Sequence, residues 1–209
     1  MGARQLNQAD LLVGPQEFFR EKITVAAANQ KLSIPNDVEF YVVNLLCGFI
    51  APGRLETIEG ELNALETPLA IMLKQALEAP PAHKLKIYKY LGDTSLYFAG
   101  FFQDYFNRKA FDIDYYITLG STAYQNVAGI MREQHSDDQF GGTFRNLSNK
   151  FHNLVELIAE VSELPGNTGK PIDILAIYDR WTRNNSDRLR RMLHDAGITP
   201  IPNLPRDKQ

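Results

Sequence analysis

Along most of this chain apolar residues recur every three or four positions, the spacing that gathers them on one helix face, and no stretch alternates strictly as a half-buried strand would. The class is therefore all-α. A first helix is expected from Pro15, whose missing N–H is harmless in a first turn, with Phe19, Ile23, Ala26 and Ala27 inward, ending before Ser33-Ile34-Pro35. Asn36 is the expected cap of a second helix, DVEFYVVNLLCGFI. That segment is apolar on most of its circumference, which predicts a central position, cover on several sides and buried partners for Asn44. Beyond Ala51-Pro52-Gly53, the positions Leu55, Ile58, Leu62, Leu65, Leu69, Met72 and Ala76 form one stripe interrupted at Thr67-Pro68. The spacing predicts two helices in near register, or one kinked helix.

Pro80-Pro81 opens a long helix expected to reach about Asn107, with Gly92 as a candidate bend, and Asp112 caps another that runs to about Gln134. SDDQFGG separates it from a helix beginning near Thr143, where Phe144, Leu147, Phe151, Leu154, Ile158 and Val161 make an amphipathic seam. LPGNTGKP reads as a turn. The last helical region holds Ile174, Ile177, Tyr178, Trp181, Leu189, Met192 and Leu193, with a break at Asn184-Asn185-Ser186 and an end at Gly197. No internal repeat is evident. These elements predict a compact multi-helical bundle of about seven to eight helices. A single domain over 1–209 is expected, in which the proline-rich residues 198–209 form an extended tail.

Composition agrees with a folded chain: 209 residues, 44% apolar and 22% charged. A net charge of -3 and a pI near 5.8 argue against a global attraction to nucleic acid or anionic lipid. The single cysteine, Cys47, has no internal disulfide partner, which points to a reducing compartment and an expected cytoplasmic location. The N-terminal MGARQLNQADLLVG lacks the apolar core of a signal peptide. The longest apolar run, Val38 to Ile50, contains Glu39 and Asn44 and falls short of the roughly 20 residues of a membrane span.

Candidate chemistry centres on the segment Tyr88 to Tyr124, where aromatic residues concentrate. Leu91-Gly92-Asp93 sets a carboxylate among rings, as a buried acid of raised pKa or a metal ligand would be set. On a helical wheel Lys86, Lys89, Asp93, Tyr97, Gly100 and Asp104 fall on one stripe, the pattern of a solvated or partner-facing edge. Tyr97 and Gly100 interrupt those charges, and a mid-helix glycine is best tolerated where another backbone comes close. On the following helix Gly120, Ser121, Thr122 and Ala123 lie between Tyr116 and Tyr124. Such small residues let helices approach, and two tyrosines flanking them suit a pocket for a flat ligand. The candidate ligand-binding residues are thus Asp93, Tyr97, Tyr116 and Tyr124, with a small apolar or aromatic molecule as the ligand.

Other motifs reduce to surface or turn. His152 and Glu156 share a helix face at i, i+4, but zinc needs three or four ligands and neither HExxH nor paired Glu-x-x-His is present. His152 borders the polar line Arg145, Asn149, Glu156 and Glu160, which predicts a surface or boundary histidine, with His83, His135 and His194 also exposed. GNTGK lacks the preceding strand, the loop length and the hydroxyl after lysine that a phosphate loop requires. Arg180, Arg183, Arg188, Arg190 and Arg191 are interleaved with Asp179, Asp187 and Asp195, so a salt-bridged surface is favoured over a nucleic-acid backbone site. No serine or cysteine stands in a nucleophile's context, and no catalytic residue is assigned.

The ordered set Leu91-Gly92-Asp93, Gly100-Phe101-Phe102, Tyr115-Tyr116, Leu119-Gly120, Ala123-Tyr124 and Tyr178-Asp179-Arg180-Trp181 resembles a family of uncharacterised bacterial all-helical proteins. The resemblance implies an intracellular bacterial helical domain and supplies no activity. With abundant aromatic surface and no assembled catalytic set, the expectation is a non-enzymatic ligand-binding or protein-interaction domain, self-associating where the aromatic stripe is exposed. The alternative is a helical oxidoreductase holding a cofactor between the aromatic helices.

Overall fold

Proline opens two of the long helices, and a left-handed residue closes one of these and the last helix of the chain's described residues. In a computed structural model, residues 14–50, 56–58, 62–63, 68–102, 113–133, 138–163, 177–178, 181–182 and 187–200 are described. The helices are α1 Pro15–Gln30, α2 Asn36–Ile50, α3 Leu69–Glu78, α4 Pro81–Phe101, α5 Ile113–Glu133, α6 Asp138–Asn149, α7 Phe151–Glu163 and α8 Asp187–Asp195. A short antiparallel pair, β1 Glu56–Ile58 and β2 Leu62–Asn63, lies between α2 and α3. The protein is an all-α, multi-helical bundle with this one β pair among its described residues.

The pair corrects the helix expected after Gly53. Ile58 sits opposite Leu62, so these two members of the apparent helical stripe pair across strands. Short apolar runs fit either period, and here β-branched Thr57-Ile58 and a glycine at position 60 favour the extended pairing. Positions 51–55 and 64–67, with Leu55, Leu65 and Thr67, lie outside the described residues. Pro68 is the N-cap of α3, its carbonyl accepting from the N–H groups of Ile71 and Met72, and Leu69, Met72 and Ala76 are buried as the stripe requires.

Contacts divide the chain into two compact units, Met1–Glu163 and Leu164–Gln209. In the first, α4 packs most extensively on α5 and α7, and α5 on α6. Glycines set how close these helices come. A Cβ on Gly92 would stand 2.6 Å from the Tyr124 ring, and one on Gly100 would stand 2.5 Å from Ile158 Cγ2. One on Gly120 would run into the Phe151 ring. The seam Phe144, Leu147, Phe151, Leu154, Ile158 and Val161 is buried throughout, as its period requires. It spans two helices instead of one, because α6 starts at Asp138, inside the expected separator, and the chain turns at Lys150. Ser136-Asp137-Asp138 is a helix-start sequence that outweighs the two glycines after it. Lys150 Nζ, reaching the Ser33 carbonyl at 3.1 Å, ties the turn to the α1–α2 connection.

α1 begins at Pro15 and buries Phe19, Ile23 and Ala26, with Ala27 half-buried. α2 is less enclosed than its composition suggests: Val38, Val42, Val43, Leu45 and Leu46 are buried, but Phe40 is 60% exposed. Asn44 accordingly finds partners at the boundary, accepting from Gln16 Nε2 at 3.3 Å and donating to the Phe40 carbonyl. α4 runs unbroken through Gly92 and stops at Phe101, short of Asn107. Aromatic rings crowd its last turns, where Phe101 stacks on Tyr97, Phe98 meets Tyr97 edge to face and Phe102 becomes the C-cap. Asp104, Asp112 and Gln134 lie outside the described residues.

In the second unit Ile177, Trp181, Leu189 and Leu193 form one buried cluster, with Tyr178, Met192 and Ile198 packed against it. Gly197, at φ +80, closes α8 in a left-handed turn. Its N–H donates to the His194 carbonyl and that of Ile198 to Leu193, the paired bonds of a Schellman cap. Ile174, the expected break at residues 184–186 and the tail beyond Pro200 lie outside the described residues.

Candidate functional site

Three helices meet at Asp93. It stands on α4 one turn after Lys89, and the i, i+4 spacing brings Lys89 Nζ to 2.6 Å from Asp93 Oδ2. The Tyr124 phenol of α5 donates to Asp93 Oδ1 at 2.8 Å, and the Tyr41 phenol of α2 donates to the same oxygen at 2.5 Å. The Lys89 ammonium also lies 5.2 Å from the centre of the Tyr41 ring, within cation–π range. The Asp93 side chain is 14% exposed. Both carboxylate oxygens are thus occupied by internal donors, which is how a nearly buried charge becomes tolerable.

Burial pushes both phenols well above the usual tyrosine range, and the Asp93 charge pushes them further. They therefore remain proton donors to Asp93 over the physiological range. Tyr124 is fully buried, its ring against Gly92 on one side and tilted against Phe144 and Phe151 on others. The room left by Gly92 and Gly120 is filled by the rings of Tyr124 and Phe151.

Of the four nominated residues, the structure brings Asp93 and Tyr124 into direct contact. Tyr97, on the same helix, belongs to a different cluster. Its ring stacks on Phe49 at 4.1 Å and 11° and on Phe101 at 5.1 Å, and burial raises its phenol pKa. Tyr116, about two turns before Tyr124 on α5, is half-buried and meets Tyr115 edge to face. The stripe expected as a solvated or partner-facing edge runs from the surface into the core: Lys86 is exposed, Lys89 half-buried, and Tyr97 and Gly100 buried. Tyr41 was missed by sequence reasoning. Its partner lies 52 positions away, and only its place on a largely apolar helix hinted that its hydroxyl needed an acceptor.

His152 is exposed, as expected, together with His83 and His194, while His135 lies outside the described residues. The polar line beside it is solvated only at Arg145 and Asn149, which are exposed. Glu156 and Glu160 are each 8% exposed, and Glu160 accepts from Asn29 at 2.7 Å and Gln30 at 2.8 Å. The polar end of α1 covers this side of α7, supplying amide donors where solvent was anticipated. Among the described residues no cluster of three or more His, Cys, Asp or Glu side chains is placed to hold a metal ion. No helix among them is long and apolar enough to cross a membrane. Arg190 and Arg191 are exposed on α8, and the side chains of Arg180, Arg183 and Arg188 lie outside the described residues.

An open cleft of about 450 Å³ lies between α5 and α6, lined by Gln125, Gly129, Arg132, Arg145, Ser148 and Asn149 among others. Ser148 donates to the Ser121 carbonyl at 2.9 Å. Arg132 and Arg145 make no ion pair or side-chain hydrogen bond among the described residues. The sequence signal for this cleft is faint, since Arg132 and Arg145 belong to different helices and neither stands in a motif.

The fold and these clusters define a multi-helical all-α protein with a closed polar centre and an open basic cleft. Compared with known proteins, the chain matches no family model, no curated protein and no solved structure.

Proposed function

We infer that the chain is a non-enzymatic binding protein, a ligand-binding or interaction domain of the bacterial cytoplasm. One observation carries this reading: Asp93, the carboxylate best placed for chemistry, spends both oxygens on Tyr41, Tyr124 and Lys89. A general acid or base must reach its substrate's proton, directly or through one water, and this carboxylate instead fastens α2, α4 and α5 to one another. The resemblance to uncharacterised bacterial helical proteins supports the bacterial setting. The free Cys47 thiol, half-buried with its pKa raised by burial, fits a reducing compartment. Self-association is a second reading, favoured by Phe40, Tyr115 and Phe102 at 60%, 45% and 39% exposure.

Native mass spectrometry of protein as purified from cells, beside its denatured mass and absorption spectrum, tests both readings. A retained small-molecule mass that persists in Asp93→Asn supports the binding protein, and a dimer without added mass supports self-association. A chromophore lost in both Asp93→Asn and Tyr124→Phe would overturn these readings in favour of the oxidoreductase.

A further inference from the structure

We propose that the cleft between α5 and α6 is the binding site for a small molecule carrying a dianionic oxyanion group, a phosphate monoester or a pair of carboxylates. This deepens the binding-protein reading and rests on it. Arg132 from α5 and Arg145 from α6 line the same recess, and no acidic residue lines it with them. In a chain of net charge -3, two guanidiniums without a carboxylate partner among the described residues are a local excess of positive charge. Each is a planar fork of N–H donors, the geometry that grips phosphate or carboxylate in pairs of bonds. Arg132 also lies in the last turn of α5, where its charge offsets the helix dipole, but that leaves its donors unspent.

The rest of the lining suits the body of such a ligand. Gln125 and Asn149 have amides without a hydrogen bond among the described residues, available to hydroxyl or carbonyl groups beside the anion. The volume, about 450 Å³, falls in the range of small-molecule sites. Gly129 lines the same recess and leaves room in it. Unlike Gly92, Gly100 and Gly120, it has nothing within 4 Å of where a Cβ would stand, so packing does not demand a glycine there. A glycine inside a helix weakens it, and at this position it keeps the recess open.

The test is titration of the full chain at low ionic strength with inorganic phosphate, glycerol 3-phosphate and succinate, followed by NMR of the arginine side-chain N–H signals. Saturable shifts of the Arg132 and Arg145 signals are expected with at least one probe, weakening as salt is added. The preferred probe then distinguishes a phosphate from a dicarboxylate ligand. Arg132→Gln and Arg145→Gln should each weaken binding about tenfold or more, and Gly129→Leu should block the cleft. Arg190→Gln with Arg191→Gln should leave binding unchanged. Non-saturating shifts with all three probes, or binding lost only in the α8 variants, would overturn the proposal. If the cleft stays silent while purified protein carries a bound mass, the cleft fails and the binding-protein reading stands. If glycerol 3-phosphate binds there and is turned over, the cleft stands and the non-enzymatic reading fails.

Discussion

Asp93 shows what one residue can hold. Replacing it with alanine strands two buried phenol donors and leaves Lys89 without its carboxylate, so a loss of about 2–4 kcal/mol is expected in chemical denaturation. Asparagine keeps an acceptor oxygen and should cost less. The phenols add a pH dependence whose sign follows from their raised pKa values. Unfolded tyrosine ionises near pH 10 while the folded phenols resist, so the contribution of Tyr41 and Tyr124 is complete below about pH 10 and is lost as pH rises through the folded values. Denaturation midpoints should therefore fall above about pH 10, less steeply in Tyr124→Phe. Half of this centre was legible in the sequence. The i, i+4 pair and the placement of Asp93 among rings follow from helical spacing, whereas Tyr41 arrives by tertiary packing that no local pattern encodes.

At the scale of elements, periodicity served well where burial was one-sided and long. The seam from Phe144 to Val161 was legible residue by residue because every member faces the core. Its division at Lys150 was not, since no proline or glycine marks the turn and the contact that Lys150 makes is with the carbonyl of Ser33, far away in sequence. The β pair escaped for another reason: Ile58 and Leu62 are spaced like helix neighbours and are paired instead. Helix ends and glycines offer direct tests. Lys31 closes α1 at φ 54, a left-handed conformation costly for any residue with a Cβ, so Lys31→Gly should stabilise by about 1 kcal/mol. Gly120→Ala, whose Cβ would meet the Phe151 ring, should destabilise by about 1–3 kcal/mol. Gly129→Ala, with open space, should instead stabilise α5 by roughly 0.5–1 kcal/mol. Thermal melts of the three variants check the opposite signs.

For the whole molecule, the single tryptophan is an unusual convenience. Trp181 is 3% exposed in the small core of Leu164–Gln209, so its fluorescence reports that unit, while the tyrosines around Asp93 report Met1–Glu163. So small a core buries little surface, and the fluorescence transition should precede the loss of near-ultraviolet tyrosine dichroism in denaturant. Coincident transitions would mean that the two units unfold as one. Motion within the larger unit has its own reporter. The Tyr124 ring is caged by Gly92, Phe144 and Phe151, so it can rotate by half a turn only when α4 and α5 part briefly. The two edges of that ring should then give separate, slowly exchanging proton resonances, and the temperature at which they merge would clock the breathing of the bundle.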